Sequence, residues 1–97
     1  MSELLNNILV VLPSLNPDER MPETVRGMLA AGFSRVLVVN DGSDALHMRP
    51  FEEIAKLPEV TILTHEVNLG KGRAIKDAFQ YILDSMPDVE GCVTVDG

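Results

Sequence analysis

The feature that most constrains the fold is a series of four short apolar runs rich in β-branched residues. They read ILVVL at residues 8–12, VLVV at residues 36–39, VTIL at residues 60–63 and CVTV at residues 92–95. Apart from two threonines, apolar residues occupy consecutive positions in each run. This pattern is typical of strands in a parallel sheet that is covered on both faces, because both sides of such strands are buried.

Helical patterns occupy the intervals between the runs. Residues 22–31 begin with proline and precede a glycine, residues 51–57 lie between two prolines, and residues 71–84 carry apolar residues at three- and four-residue spacing. The resulting order β-α-β-α-β-α-β predicts an α/β fold with right-handed crossovers. Crossovers outward from the first strand, followed by a return to its other side, predict the strand order 3-2-1-4.

The composition excludes several classes of protein. Ninety-seven residues make one small domain, and no apolar run approaches the roughly 20 residues of a membrane helix. The net charge of −7 disfavours nucleic acid as a partner, but it leaves a phosphate ligand possible because backbone amides and a few cations can hold phosphate. The single cysteine, Cys92, lies in an apolar run, which predicts a buried, reduced thiol and favours a cytoplasmic location.

Each apolar run is followed by a polar or glycine-rich segment. In chain order these segments are PSLNPDE, NDGSD, NLGKGRA and DG, whereas the joints from helix to strand are plainer. The carboxyl ends of parallel strands meet at one edge of the sheet, and ligands of α/β proteins bind there. The sequence therefore predicts a binding site at this edge.

Asp41 lies two residues past the end of the second run and admits two interpretations. With its neighbours Asn40 and Ser43 it can build a turn, because short polar side chains bond to nearby backbone groups. Alternatively, its carboxylate accepts a hydrogen bond from a ring N–H or a ribose hydroxyl of a ligand, and Gly42 allows that ligand to approach closely.

The segment NLGKGRA places two glycines around Lys71 at a predicted helix start. Amides at such a position favour an anion, to which Lys71 and Arg73 add charge, although a flexible loop with solvated cations fits as well. The segment matches neither the GxxxxGK[ST] nor the GxGxxG phosphate loop. His65 has no partner at metal-ligand spacing and is predicted to lie in a loop or at a strand edge.

Asp96 follows the fourth run. Alone, it fits a cap, but as the first member of an Asp-x-Asp pair it would share a hard divalent cation.

Four stretches together resemble the N-terminal half of a family 2 glycosyltransferase with the Rossmann-like GT-A fold: ILVVLPSLNPDERM, VLVVNDGSD, EVNLGKGRAIKDAF and VTVDG. The similarity is greatest to the branch that resembles dolichyl-phosphate-mannose synthase. It implies a nucleotide-sugar site formed by Pro13, Ser14, Asn16, Asp41, Gly42, Asn68, Gly70, Lys71, Arg73 and Asp96. The chain departs from the family's usual DDGS at its first acid, where Asn40 stands.

The resemblance implies roles for these residues. The segment from Pro13 to Asn16 would line the base and ribose, Asp41 would contact the base, and the glycine-lysine loop would lie near the base and phosphates. Asp96 would be the metal-binding first acid of the Asp-x-Asp motif, with Mg²⁺ or Mn²⁺ as the cofactor of the full-length enzyme.

The function implied is transfer of a sugar from a UDP- or GDP-sugar to an acceptor hydroxyl or lipid phosphate, in the cytoplasm or at the cytoplasmic face of the membrane. Residues 1–97 are then expected to be the donor-binding half, cut within the Asp-x-Asp motif, inactive alone and self-associating through the last strand or its neighbouring helix. The alternative is a stand-alone nucleotide-binding or regulatory module. A phosphoacceptor receiver domain is disfavoured because its acidic cluster follows the first strand.

Overall fold

The computed structural model describes residues 8–95. Helices and strands alternate along this part of the chain as the sequence predicts. The strands are β1 (Ile8–Ser14), β2 (Arg35–Asp41), β3 (Val60–His65) and β4 (Gly91–Thr94). The α-helices are α1 (Arg20–Ala30), α2 (Arg49–Ile54) and α3 (Lys71–Ser85), and a 3₁₀ turn (Ala45–His47) precedes α2.

The four strands form one parallel sheet in the order β3-β2-β1-β4, which confirms the predicted topology. The register brings the carboxyl ends of the strands together. Ser14 at the end of β1 pairs with Asn40, and Asp41 at the end of β2 pairs with His65. The polar residues that follow or finish these strands therefore meet at one edge of the sheet.

Alternate strand residues build a core on each face of the sheet. On one face, β1 and β2 pack against α1 and α2 through Val10, Leu12, Met21, Val25, Val36, Val38, Phe51 and Ile54. On the other face, Leu9, Val11, Leu37 and Val39 pack against Ala74 and Ala78 of α3. Because the sheet is covered on both sides, the central strands are apolar at consecutive positions.

Strand β1 continues through Pro13 to Ser14, past the apolar run at residues 8–12. The backbone oxygen of Val11 accepts a hydrogen bond from the amide of Val95, on the β4 side of β1. Pro13 lies two residues further along and faces the same side, beyond Thr94, the last paired residue of β4 in the described chain. Because proline has no N–H to donate to the Val95 oxygen, the pairing of β1 with β4 stops at this point, while β1 continues beside β2 through Ser14.

The prediction of a buried thiol at Cys92 is wrong: the residue is free and exposed. Strand β4 lies at an edge of the sheet, and Val93 is also 43% exposed. The apolar pattern of this strand is therefore not matched by packing within residues 8–95. In the same range, the structure contains no helix with the length and hydropathy needed to cross a membrane.

Gly42 marks the closest contact between two loops at the carboxyl edge. Its φ is +78°, in the left-handed region, and a Cβ built on it would lie 2.3 Å from the backbone of Val67 and of Asn68. The loop after β2 therefore touches the loop after β3 backbone to backbone. Glycine is required here both for the conformation and for the space.

We predict that Gly42→Ala destabilises the protein by about 2–5 kcal/mol, since the positive φ and the overpacking each add a cost. Gly27 is the matched control, because it lies within α1 and a Cβ there meets nothing within 4 Å. Gly27→Ala should stabilise the helix by about 0.5–1 kcal/mol. Urea unfolding followed by circular dichroism measures both changes, and equal effects of the two variants would contradict the prediction.

Candidate functional site

A cleft of about 510 Å³ opens at the carboxyl edge of the sheet. It is bounded by the end of β1, the end of β2 and the start of α3. Six of the residues predicted to bind a ligand line it, together with Leu15: Pro13, Ser14, Asp41, Asn68, Gly70 and Lys71. Three segments that are far apart in sequence thus contribute to one concave surface.

Three predicted residues do not line this cleft. The amide of Asn16 donates to Ser43 Oγ at 2.9 Å, and Asn16 Oδ1 accepts from the Asp44 amide at 3.0 Å, so Asn16 joins the loops after β1 and β2. Gly42 provides the close contact between loops. Arg73 forms an ion pair with Asp77 at 3.0 Å on the surface of α3.

Asp96, the predicted metal ligand, lies outside the described residues. Within residues 8–95, no group of three or more His, Cys, Asp and Glu side chains is arranged to hold a metal ion.

Asp41 is the most heavily bonded side chain of the cleft. It is the last residue of β2, and its side chain is only 6% exposed. Its Oδ1 accepts from the Leu69 amide and contacts His65 Nδ1, both at 2.9 Å, and its Oδ2 accepts from the Gly70 amide at 3.0 Å. A carboxylate has about four acceptor positions. The hydrogen bonds described here fill three of them.

These hydrogen bonds change the interpretation of the glycine-lysine loop. The sequence predicts that its amides favour a ligand anion. In the structure, the amides of Leu69 and Gly70 already donate to an anion of the protein itself, the Asp41 carboxylate. Asn68 Oδ1 also accepts from the Gly70 amide at 2.9 Å. These two amides can therefore meet a phosphate only if Asp41 is displaced.

His65 connects Asp41 to helix α3. Its Nδ1 lies 2.9 Å from Asp41 Oδ1, and its Nε2 lies 2.9 Å from Asp77 Oδ2. The ring is 9% exposed at the end of β3. The sequence predicts a strand edge or loop position for His65, which fits its place as the last residue of β3. It does not predict either carboxylate partner.

Both carboxyl groups beside His65 have lowered pKa values. Burial raises the pKa of Asp41, but hydrogen bonds from His65 and from the amides of Leu69 and Gly70 outweigh it and bring the pKa below its ordinary value. Burial also raises the pKa of Asp77, and the Arg73 guanidinium and then His65 more than compensate. Both side chains are therefore carboxylates at neutral pH.

Asn40 points to the opposite face of β2 from Asp41. It is buried, its Oδ1 accepts from the Ser43 amide at 3.0 Å, and its Nδ2 lies 3.4 Å from Met48 Sδ. The turn chemistry that the sequence assigns to this cluster thus belongs to Asn40. Asp41 instead holds the loop after β3.

Ser14 contributes an unusual group to the wall of the cleft. The residue is 3% exposed, and its Oγ is buried without a hydrogen-bond partner among the described residues. A buried hydroxyl without a partner is costly, so such groups are rare in folded proteins. Because Ser14 also lines the cleft, a ligand there would satisfy this hydroxyl once the side chain rotates toward it.

We predict that protonation of Asp41 and Asp77 destabilises the protein in acid. A carboxyl with a lowered folded pKa stabilises the fold fully above its unfolded pKa, and this stabilisation is lost as the pH falls through the folded pKa. The ordinary value for both is 3.8, so the loss should occur below that pH. Urea unfolding at pH 2 to 6 should give a shallower acid decline for Asp41→Asn than for the unsubstituted chain.

Asp18→Asn is the matched control for this experiment. A hydrogen bond from the Arg20 side chain also lowers the pKa of Asp18. However, the side chain of Asp18 is 60% exposed and that of Arg20 is 87% exposed. Solvent screens such a pair, so its loss should leave the acid decline nearly unchanged. An identical decline in both variants would contradict the role assigned to Asp41.

Comparison with known proteins agrees with this architecture. The chain is 30% identical to Uncharacterized protein MJ1222 of Methanocaldococcus jannaschii over 92 residues, which is 95% of this chain and 36% of that protein. The chain thus spans about a third of the length of this relative. Residues 9–84 match the family model described as Glycosyl transferase family 2, from the first residues of β1 almost to the end of α3. The chain therefore belongs to glycosyltransferase family 2.

Proposed function

We propose that the cleft binds the nucleotide part of a nucleotide-diphospho-sugar, as the donor site of a glycosyltransferase. The observation that carries the proposal is the buried Ser14 Oγ without a partner, in the wall of a cleft that five further residues predicted from the sequence also line. Membership of family 2 supports glycosyl transfer as the reaction class. The sugar is passed to an acceptor hydroxyl or lipid phosphate.

Asp41 can accept one further hydrogen bond, which a contact with the base of the nucleotide requires. One of its acceptor positions is left by the hydrogen bonds to the protein, and the carboxylate borders the cleft. A ring N–H of the base would complete its coordination. Because Asp41 is already held by three donors, it would meet the base in a fixed orientation, which lowers the ordering cost of binding.

The phosphates would lie toward Lys71, where the fifteen-residue helix α3 begins. The positive end of a helix dipole and a lysine both favour an anion at this position. Arg73 would reach a phosphate only by leaving Asp77.

A divalent cation, Mg²⁺ or Mn²⁺, is proposed for the full-length enzyme at Asp96. The described residues hold no cluster that could bind it, so further oxygen ligands must come from outside residues 8–95 or from the diphosphate. We propose that residues 1–97 act as the donor-binding half of a longer, cytoplasmic enzyme and transfer no sugar by themselves.

The test is a titration of the 97-residue chain with UDP and GDP, with and without Mn²⁺, followed by calorimetry or NMR. Ser14→Ala should weaken binding of the accepted nucleotide by about 0.5–1.5 kcal/mol, because one hydrogen bond is lost. The same variant should be equally or more stable than the unsubstituted chain, because a buried hydroxyl without a partner is removed. Opposite effects on binding and on stability distinguish a ligand group from a structural one.

Ser85→Ala is the matched control, since Ser85 is exposed at the far end of α3. It should leave nucleotide binding unchanged. Asp41→Ala should weaken binding by about 1.5–3 kcal/mol, the range for a hydrogen bond to a charged group, and should also lower stability because the loop loses its anchor. Absence of binding for both nucleotides, or unchanged affinity in Ser14→Ala, would overturn the proposal.

We further propose that the chain self-associates through β4 and the adjoining side of α3, with a second copy as the partner. Within the described chain, β4 pairs with β1 alone, and three large apolar side chains nearby are 43%, 73% and 43% exposed: Phe79, Leu83 and Val93. An exposed edge strand with apolar side chains favours pairing with another chain, and a two-fold symmetric pair would cover both copies.

Sedimentation velocity of the 97-residue chain tests this contact. Val93→Lys should shift the chain toward monomer, because a lysine on an edge strand opposes edge-to-edge pairing. Leu46→Lys is the matched control, since Leu46 is 90% exposed in the 3₁₀ turn before α2. A monomer at all concentrations, or the same shift in both variants, would contradict the proposal.

A further inference from the structure

We propose that His65 is a positioning residue for the donor site. Protonated on both ring nitrogens, it connects Asp41 of β2 to Asp77 of α3 and so fixes the β3–α3 loop (residues 66–70) in the shape that lines the cleft. The inference rests on the proposed function for its effect on ligand binding. Its effect on the loop is independent of any ligand.

The proton requirement follows from the hydrogen-bond inventory. A neutral imidazole has one N–H donor and one nitrogen lone pair, whereas the protonated ring donates from both nitrogens. Here both nitrogens lie 2.9 Å from carboxylate oxygens, of Asp41 and Asp77. Since both partners are ionised, both ring nitrogens must carry a proton for the two contacts to be attractive.

The effect of His65 reaches the loop through a single oxygen. Asp41 Oδ1 contacts His65 and also accepts from the Leu69 amide, and the second oxygen accepts from the Gly70 amide. A carboxylate that rotates away from His65 loses the alignment of both amide hydrogen bonds. The loop then loses its anchors to β2 immediately before Lys71, the residue that borders the cleft at the start of α3.

The charged groups around His65 come from two elements. Strand β2 contributes Asp41 and helix α3 contributes Asp77, which the Arg73 guanidinium contacts from its outer side. A surface cavity of about 290 Å³ borders the ring, and Tyr81 and Asp84 are also part of its wall. The ring is thus enclosed by carboxylates yet open enough to exchange a proton with solvent.

A pH dependence of donor binding follows, with a definite sign. As the pH rises and His65 loses a proton, one of its nitrogens presents a lone pair to a carboxylate. The contact with Asp41 or with Asp77 then becomes repulsive, and the loop is held less firmly. Donor affinity should therefore be lower where the ring carries one proton than where it carries two.

Two isosteric variants test which contact matters. The side-chain amide nitrogen of asparagine occupies the place of Nδ1, and that of glutamine occupies the place of Nε2. His65→Asn therefore keeps a donor for Asp41, whereas His65→Gln keeps a donor for Asp77 only. Neither amide titrates near neutral pH.

The first readout is amide hydrogen exchange at Leu69 and Gly70 in the ligand-free chain, measured by NMR. We expect protection in His65→Asn to stay close to that of the unsubstituted chain and to fall about tenfold or more in His65→Gln, the effect of losing a hydrogen bond between charged groups. Equal loss in both variants would mean that the ring only fills space, and the positioning role would be wrong.

The second readout is the dissociation constant for UDP-glucose and GDP-mannose between pH 5.5 and 8.5. Their diphosphates are diesters and do not titrate in this range, so the ligand adds no pH dependence of its own. Affinity of the unsubstituted chain should fall with rising pH in step with the His65 ring-proton shifts, and that of His65→Asn should stay flat. The same slope in both would overturn the pH dependence.

The outcomes separate the two proposals. If the unsubstituted chain binds neither nucleotide-sugar, the proposed function fails, while amide exchange still decides whether His65 positions the loop. If His65→Gln does not fold, Asp77→Asn replaces it: the amide of this variant accepts from a protonated Nε2 and donates to a deprotonated one, so the loss of loop protection at high pH should become smaller. An unchanged pH profile in Asp77→Asn would overturn the proposal.

Discussion

The carboxylate of Asp41 is the interaction on which the carboxyl edge of the sheet depends. It ends β2, is buried, and binds two amides of the β3–α3 loop and the ring of His65. A buried carboxylate is stable only when its charge is met by donors, and here three donors meet it. The loop can adopt its shape because its amides have this internal anion to bind. The donors in turn keep the carboxylate ionised.

The architecture explains why these groups meet. Parallel pairing aligns the ends of β2 and β3, so that Asp41 and His65 are register partners although 24 residues separate them. Gly42 then lets the two following loops touch through their backbones. Helix α3 packs on the face of the sheet that carries Leu37 and Val39, and it brings Asp77 to the other side of the His65 ring. Each element thus contributes one part of a connected polar network beside an apolar core.

The cleft combines saturated and unsaturated polar groups. Asp41 in the cleft is held by hydrogen bonds from the protein, and Asn16, outside the cleft, joins the loops after β1 and β2. These contacts fix the geometry of the walls. Ser14 Oγ, in contrast, has no partner among the described residues. A site with walls held in place and one polar group without a partner favours a ligand that supplies the missing hydrogen bond. Binding then costs little conformational entropy, because the walls are already ordered. We propose that this ligand is a nucleotide-sugar donor, and membership of glycosyltransferase family 2 supports the proposal.

The sequence by itself determined the parallel sheet, its strand order and the edge at which polar residues gather, because consecutive apolar β-branched residues and boundary prolines and glycines are local signals. It also named six residues of the cleft. Only the tertiary structure decided what those residues contact. The link from Asp41 through His65 to Asp77 joins residues on three elements, and no spacing along the chain encodes it. The exposure of Cys92 likewise depends on β4 lying at an edge, since an apolar run has the same pattern whether or not another element covers it.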